Sequence, residues 1–252
     1  MKKALVIVSK ELNKKTLKYY SEILLQESIY FVSPNRNSSL DEFKNIVFKN
    51  DNFFLNRQDY PIIEKTNRPN WYFQQFLKYQ IVLSLDYDLI HIVDGDSFVE
   101  KELLFNEGVF YSRKIVENEY YDFISLLFNK KKNYSKRNYI TNQMCFKKTY
   151  LTKMIKNLNN LDDNWINQIS KLLLENSNLW FSEYQTYADF VLNNYDTNEK
   201  LIKVFRRFDL IDDTLENAFN KYNVLAEERY HKISFIRSVR AKLFYLLNLN
   251  LG

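Results

Sequence analysis

The sequence predicts an α/β fold, built as a three-layer α/β/α sandwich with a mostly parallel central sheet. Short runs rich in β-branched residues alternate with segments of helical spacing along the first part of the chain, which is typical of strands joined by crossover helices. Polar residues bound each run, as expected for strands that are buried on both faces. Hydrophobic residues make up 46% of the 252 positions, enough for one large core.

Each element has a local signal. Strands are predicted at residues 4–8, 28–33, 43–50 and 88–93. Helices are predicted within residues 13–26, after the NRPN segment, and at residues 162–176 and 182–195. Pro69 suits a first helical turn, and Asp162 or Asp163 is the expected N-cap of the third helix. The run YYDFISLLF at residues 120–128 is interpreted as a strand.

Composition narrows the choice of partner. The net charge is +5, from 36 basic and 31 acidic residues, and this modest excess suits a nucleotide, a phospholipid surface or an acidic glycan. The concentrated basic stripe of a nucleic-acid binder is missing from the sequence, as are its usual motifs, so no nucleic-acid partner is expected. The single cysteine, Cys145, excludes an internal disulfide framework and a multi-cysteine metal site, which favours a reduced, cytosolic setting.

Hydropathy predicts a cytoplasmic protein. The apolar run near the N-terminus is too short for a signal peptide, and no run approaches the ~18–20 residues of a membrane span. The last segment, residues 230–252, is predicted to be a basic amphipathic C-terminal helix. Two roles are open for this helix: peripheral docking on the anionic inner face of the plasma membrane, or packing against the domain.

The main candidate site follows the strand at residues 88–93, where Asp94 and Asp96 lie one residue apart. Alternate residues of an extended chain share a face, and open α/β sheets bind ligands beyond the carboxyl ends of their strands. Gly95 would let the backbone approach a ligand closely. Two neighbouring carboxylates repel each other, so a hard cation such as Mg²⁺ or Mn²⁺ is the natural occupant. The alternative is an ordinary polar turn.

Four segments, taken in order, resemble a known family. The segment HIVDGDSFV resembles the strand and D-x-D signature of GT-A-type, nucleotide-sugar-dependent glycosyltransferases. RPNWYFQQFLKYQ, NQMCFKKTYL and WFSEYQTYADFVL extend the likeness to bacterial enzymes of capsule and lipopolysaccharide gene clusters. The resemblance implies a GT-A-like, Rossmann-type fold with a nucleotide-binding half at residues 1–101 and an acceptor half at residues 102–229.

The resemblance also implies an activity. A sugar, in a hexosyltransferase-type reaction, would pass from a nucleoside-diphosphate sugar, with UDP the expected carrier, to a bacterial surface glycan. That acceptor would be a lipooligosaccharide, a lipopolysaccharide or a capsule chain. Asp94 and Asp96 would hold Mn²⁺ or Mg²⁺ on the donor diphosphate, with His231 as a further metal ligand. For His231 the alternative is a surface residue that precedes a helix.

Several polar residues are expected to contact the donor. Ser9, after the first strand, would meet the base. Gln74, Gln75 and Lys78 share one side of the helix after NRPN; this is a solvated face or, as the resemblance implies for Gln75 and Lys78, a donor contact. Asn142 and Gln143 carry amides that suit sugar hydroxyls, or else cap a turn.

Glu183 is the candidate for acid–base chemistry or acceptor contact. Ser182 is the expected cap of its helix, and the helix dipole alone would explain an acidic residue there. In the resembled enzymes an acidic residue in this region faces the acceptor or the anomeric carbon. It would be a general base in an inverting enzyme, and a nucleophile or charge stabiliser in a retaining one.

The remaining candidates are two core residues and two basic segments, and each basic segment has two interpretations. His91 and Cys145 are expected in the core. Arg206 and Arg207 meet a diphosphate or flank a strand, and the loop at residues 130–137 closes over the donor or is a surface loop.

Two other functions stay open. A haloacid-dehalogenase-like phosphohydrolase would use Asp94 as nucleophile, with residues 209–213 as its faint support, although that motif usually opens its domain. A non-catalytic module would bind glycans or polyanions through aromatic and basic residues.

Overall fold

The computed structural model describes residues 1–130, 136–158, 164–206 and 214–227. Several predictions lie outside the described residues. These are the C-terminal helix at 230–252, His231, Arg207, the acidic segment 209–213, the caps Asp162 and Asp163, and most of the loop at 130–137.

The described chain forms strands and helices with the following bounds. The strands are β1 (Lys3–Val8), β2 (Ser28–Ser33), β3 (Ile46–Asn50), β4 (Leu89–Asp94), β5 (Ser97–Val99), β6 (Val109–Ile115), β7 (Arg137–Asn138), β8 (Gln143–Lys147), β9 (Glu199–Leu201), β10 (Val204–Arg206) and β11 (Val224–Ala226). The helices are α1 (Lys14–Ile23), α2 (Pro69–Ser84), α3 (Asn118–Leu127), α4 (Lys148–Leu158), α5 (Trp165–Glu175), α6 (Glu183–Asn194) and α7 (Leu215–Phe219).

A five-stranded sheet forms the centre, in the order β3-β2-β1-β4-β8. Its first four strands are parallel, and β8 runs antiparallel to β4. The chain moves outward from β1 to β3 on one side and returns through α2 to place β4 on the other side of β1. Open α/β sheets bind ligands at such a switch point, beyond the carboxyl ends of the two strands.

Two apolar cores cover the two faces of this sheet. Val6 and Val8 of β1 face a core completed by α2, α4, α5 and α6. Leu5 and Ile7 face the other core, which is completed by α1 and by strands of two smaller sheets. The alternation follows from the two-residue repeat of a strand. The α/β class, the parallel-rich sheet and the layers on both faces are therefore confirmed.

Two three-stranded sheets complete the described fold. One has the order β10-β11-β5, in which β11 pairs parallel with β10 and antiparallel with β5. The other has the order β7-β6-β9. Because β5 begins at Ser97, the first of these small sheets continues directly from the turn that carries Asp94 and Asp96.

Two local predictions were wrong. Residues 120–128 lie mostly in helix α3, because Tyr120, Phe123, Ile124 and Leu127 recur at helical spacing, while alternation would be needed for a strand. The N-cap of α5 is Asn164, whose side chain accepts a hydrogen bond from the Asn167 amide at 3.3 Å. The strands predicted near 4–8, 28–33, 43–50 and 88–93 are confirmed, as is Pro69 in the first turn of α2.

Candidate functional site

A cavity of about 370 Å³ lies where β1 and β4 end. One wall is the segment that joins β1 to α1, and the other is the turn that follows β4. The lining residues are Val8, Ser9, Lys10, Glu11, Leu12, Asn13, Gln74, Asp94, Gly95, Asp96 and Asn142. The cavity therefore occupies the switch point of the sheet, the position at which such folds bind ligands.

Both carboxylates of the D-x-D segment line this cavity. Asp94 is the last residue of β4, and its amide donates to the Asn142 carbonyl at 3.0 Å. Asp96 lies in the turn before β5, where the Ser97 hydroxyl donates to Asp96 Oδ1 at 3.2 Å. Both residues are partly exposed, so neither carboxylate bears the full cost of burial.

Gly95 lines the cavity and also makes a close contact within the protein. Its amide donates to the Val8 carbonyl at 3.0 Å, and a Cβ at this position would overlap the Ser9 side chain. The close approach that requires glycine is therefore between the turn and the end of β1. Ser9 lines the cavity, and its hydroxyl donates to the Glu11 carbonyl at 2.6 Å.

Lys78 of α2 contacts two carboxylates, those of Asp94 and Glu183. Its Nζ lies 2.6 Å from Asp94 Oδ1 and 2.6 Å from Glu183 Oε1, and 4.4 Å from the centre of the Tyr184 ring. Burial by itself lowers the pKa of Lys78, but the negative charges of Asp94 and Glu183 outweigh it and raise that pKa well above its usual value. Lys78 is therefore a permanent cation here.

Glu183 is buried, with its side chain 2% exposed. Burial raises the pKa of Glu183, the Lys78 ammonium opposes that rise, and the nearby Asp94 charge adds to it. Glu183 contacts Lys78, and Lys78 contacts Asp94, which lines the cavity. Glu183 is thus linked to the cavity through Lys78 and Asp94. One ammonium thus contacts two carboxyl groups, Asp94 and Glu183.

Helix α2 also holds the start of α6. The Glu183 amide donates to Gln75 Oε1 at 2.8 Å, and the Tyr79 hydroxyl donates to the Glu183 carbonyl at 2.6 Å. Ser182 caps α6 as predicted, with its Oγ accepting from the Gln185 amide at 3.4 Å. Gln75 and Lys78 are both buried, so the interpretation of this helix side as a solvated face is wrong for them.

The two predicted amides differ in position. Asn142 lines the cavity in a left-handed backbone conformation, with φ of 61°, and its buried Oδ1 has no hydrogen-bond partner among the described residues. Gln143 lies in β8, where its Nε2 donates to the Thr141 hydroxyl at 3.5 Å. Of the two, Asn142 is the amide placed to meet a ligand.

His91 and Cys145 are core residues, as predicted. His91 is fully buried in β4, where its Nδ1 accepts a hydrogen bond from the Phe105 amide at 3.2 Å, and burial lowers its pKa to about 3. Cys145 is buried in β8, and burial raises the pKa of its thiol to about 12. A neutral imidazole and a protonated thiol follow at neutral pH.

The basic candidates lie elsewhere. Arg206 ends β10 and donates to the Ile140 carbonyl at 3.3 Å. Arg137 forms an ion pair with Glu199 of β9, and Lys130 lies over the Phe128 ring. Among the described residues, the cation that lines the cavity is Lys10. No sequence pattern around Lys10 selects it as a site residue.

Sequence reasoning missed one residue that lines the cavity, Asn13, and one that contacts lining residues, Glu227. Asn13 lines the cavity and caps α1, with Oδ1 accepting from the Lys15 amide at 3.1 Å. Glu227 follows β11, and its amide donates to the Asp96 carbonyl at 2.8 Å. The available signal was an acidic residue directly after the short apolar run VLA, the same pattern that marks Asp94 after β4.

The donor set fits a cation that binds few protein groups. Asp94 and Asp96 offer two carboxylates to one cavity, and Mg²⁺ or Mn²⁺ completes such a site with water and phosphate oxygens. Within the described ranges, no group of three or more histidine, cysteine, aspartate and glutamate side chains is arranged to hold a metal. Over the same ranges, no helix is both long and apolar enough to cross a bilayer.

No family model matches the chain, and no curated protein matches its sequence. Among solved structures it is similar to the apo form of the glycosyltransferase GlyE of Streptococcus pneumoniae TIGR4. The TM-score is 0.43, with 11% identity over 99% of this chain and 62% of that one. It is also similar to a putative glucose-1-phosphate thymidylyltransferase from Bacillus anthracis, with a TM-score of 0.40 and 7% identity over 80% of this chain and 87% of that one.

A third similar structure is the bifunctional IspDF from Campylobacter jejuni, with a TM-score of 0.36 and 12% identity over 75% of this chain. The chain spans 51% of the length of that protein. These values describe a distant likeness of the backbone and carry no conclusion about the activity of this chain.

Proposed function

We propose that this protein is a metal-dependent glycosyltransferase that uses a nucleoside-diphosphate sugar, with UDP as the expected carrier. One observation carries the proposal. Asp94 and Asp96 line a cavity at the switch point of a parallel sheet, opposite the segment that follows β1. That position suits a nucleotide, and the two carboxylates suit the cation that would accompany its diphosphate.

Asp94 and Asp96 would hold Mn²⁺ or Mg²⁺. When bound, the cation would supply positive charge to the diphosphate that leaves the sugar. The protein orients Asp94 for this role, because Lys78 donates to its Oδ1 at 2.6 Å and the Tyr184 hydroxyl donates to the same oxygen at 3.4 Å. Oδ2 is then the oxygen left for a ligand. His231 is retained as a proposed further ligand, although it lies outside the described residues.

In our proposal, different lining residues contact different parts of the donor. The segment from Ser9 to Asn13 would meet the nucleoside, while Gln74 and Asn142 would meet the sugar. Asn142 Oδ1 supports this assignment, because it has no partner within the described part of the chain. A buried acceptor without a donor is costly, and a sugar hydroxyl would supply the donor. Three buried residues hold the cavity-lining groups in position in our proposal: Gln75, Lys78 and Gln143. Of these, Lys78 orients Asp94.

Glu183 remains our candidate for acid–base work. In this structure it connects to the cavity through Lys78, so its first effect is to position that ammonium. A direct role on the acceptor would require Glu183 to exchange Lys78 for the acceptor hydroxyl when substrate binds. Its raised pKa suits a group that takes up a proton.

The acceptor and the location follow from the sequence resemblance. We propose a bacterial surface glycan, as lipooligosaccharide, lipopolysaccharide or capsule, built in the cytoplasm at the inner face of the plasma membrane. The basic segment at residues 230–252 is the proposed membrane contact.

A thermal-shift panel tests the donor proposal. Uridine, guanosine, cytidine and thymidine diphosphates are each added with Mn²⁺, Mg²⁺ or EDTA to the wild type, Asp96→Ala and Asp86→Ala. Asp86 is the matched control, because its exposed carboxylate pairs with Lys2 and is not among the cavity-lining residues. Binding to the native state raises stability by about 2.7 kcal/mol at a ligand concentration of 100 Kd.

We expect one nucleotide to stabilise the wild type and Asp86→Ala only with metal, and Asp96→Ala to lose the response. If no nucleotide raises the midpoint of the wild type under any metal condition, the glycosyltransferase proposal fails. Phosphate release from simple esters would then favour the phosphohydrolase.

A further inference from the structure

Glu227 contacts one residue from each of the two walls of the cavity, Asp96 and Asn13. It follows β11, whose last residue, Ala226, pairs with Ser97 of β5. The Glu227 amide donates to the Asp96 carbonyl at 2.8 Å. The backbone of residue 227 is therefore attached to the turn that carries the carboxylates, and the side chain of Glu227 is buried, with 1% of its surface exposed.

The Glu227 carboxylate reaches the opposite wall. Its Oε2 accepts a hydrogen bond from Asn13 Nδ2 at 3.2 Å, and its Oε1 lies 3.3 Å from Lys15 Nζ. Asn13 is 7% exposed, whereas the Lys15 side chain is 71% exposed. Solvent screens the lysine, so the bond with Asn13 is the sheltered one.

Both ends of the Asn13 carboxamide are used. Oδ1 accepts from the Lys15 amide at 3.1 Å as the cap of α1, and Nδ2 donates to Glu227. The amide therefore has one orientation, and the segment that lines the cavity is held between α1 and Glu227. A cap alone would leave Nδ2 without this constraint.

We infer that Glu227 is a positioning residue for the donor nucleotide, because it joins the Asp96 turn to the β1–α1 segment through Asn13. This inference rests on the proposed function. A nucleoside diphosphate contacts the metal-binding turn with its phosphates and the β1–α1 segment with its nucleoside. The Gly95–Val8 hydrogen bond joins the two walls at the strand ends, and the Glu227–Asn13 bond joins them at the start of α1. The position of the start of α1 relative to the metal-binding turn therefore governs the affinity for the whole ligand.

The variant Asn13→Asp removes the Glu227–Asn13 bond and keeps the helix cap. Aspartate still accepts from the Lys15 amide, but its second oxygen faces the Glu227 carboxylate and repels it. The double variant Asn13→Asp/Glu227→Gln restores a hydrogen bond with donor and acceptor exchanged. Asn164→Asp is the matched control, because Asn164 caps α5 in the same way and is not among the cavity-lining residues.

Isothermal titration of each protein with the four nucleoside diphosphates and Mn²⁺ provides the test. We expect Asn13→Asp to bind the wild-type nucleotide about tenfold more weakly, the double variant to recover, and Asn164→Asp to match the wild type. Thermal unfolding without nucleotide monitors the fold. If Asn13→Asp does not fold, Asn13→Ser, which keeps a capping oxygen and lacks the amide, replaces it.

The outcomes separate the two proposals. If the wild type binds a nucleotide and Asn13→Asp binds it equally well, the positioning role is overturned and the proposed function stands. Weak binding that the double variant fails to restore also overturns the role, because the Glu227–Asn13 bond is then not its cause. If the wild type binds none of the four nucleotides, the proposed function fails and this inference fails with it.

Discussion

At the scale of single residues, His91 shows how burial fixes a protonation state. It lies in the middle of the sheet, directly behind the strand end that carries Asp94, and its Nδ1 accepts from the Phe105 amide. Burial lowers the pKa of His91 from 6.5 to about 3. The native state therefore holds fewer protons at this residue than the unfolded state does between those two values.

This difference predicts a pH dependence of stability. The contribution of His91 is fully present above pH 6.5 and is lost as the pH falls, because the unfolded chain gains a proton that the native state refuses. We expect the wild type to lose about 2 kcal/mol from this source between pH 6.5 and 5. His91→Asn, which keeps an acceptor near Phe105, should lack that loss.

Urea unfolding of both proteins at pH 7, 6 and 5 measures the effect. The gap in unfolding free energy between wild type and variant should narrow with each step toward acid. A gap that stays constant would mean that His91 becomes protonated in the native state.

Gly95 shows the limit of sequence reasoning at this scale. The sequence indicates that a glycine between two carboxylates permits a close approach. It does not indicate that the approaching group is Ser9, because the pairing of β1 with β4 brings together residues far apart in the chain. Asn13 and Glu227 were missed for the same reason, since their hydrogen bond joins residues 214 positions apart.

At the scale of elements, the central relation is between α2 and the start of α6. Gln75, Lys78 and Tyr79 of α2 all contact Glu183. The polar side of α2 was visible in the sequence as residues at helical spacing. The burial of this polar side was not visible in the sequence, because a sequence does not indicate which face of a helix packs against another helix.

Lys78→Met is predicted to be severely destabilising. The change leaves Asp94 and Glu183 without their shared ammonium, and breaking a buried pair costs about 3–5 kcal/mol. Lys147→Met is the matched control. Lys147 pairs with Glu107 at 3.0 Å with both side chains partly exposed, so we expect a loss of at most about 1 kcal/mol.

Chemical denaturation at neutral pH compares the two variants. Equal losses would show that the Lys78 cluster behaves as an ordinary surface ion pair. That result would also remove the argument that Lys78 orients Asp94.

At the scale of the whole molecule, two cores share one sheet. β1 contributes Val6 to one core and Leu5 to the other, so the sheet is packed from both sides and we expect the two cores to unfold together. The sequence predicted the shared sheet, because the buried strands read as unbroken apolar runs. It did not predict the small sheets. Apart from the seven-residue β6, their strands have two or three residues and are too short to show a period.

Leu17→Ala tests whether the cores unfold together. Leu17 is fully buried in α1, on the second core. All three tryptophans, Trp71, Trp165 and Trp180, belong to the first core or to the cluster beside α3. We expect a loss of about 2–5 kcal/mol and an equal shift of the urea midpoint by tryptophan fluorescence and far-ultraviolet circular dichroism.

A fluorescence midpoint that stays at the wild-type value, while circular dichroism moves, would show that the two cores unfold separately. Coincident shifts are the result that one cooperative unit requires.

The position of β1 also has a consequence for synthesis. β1 is made before β2, β3 and β4, and its second neighbour is β4, with Lys3 opposite Leu89. Until that partner leaves the ribosome, β1 is an edge strand that is apolar on both sides, the kind of edge that pairs with other chains. A nascent chain that pauses between β3 and β4 therefore exposes this edge, and the addition of β4 both protects the edge and completes the cavity.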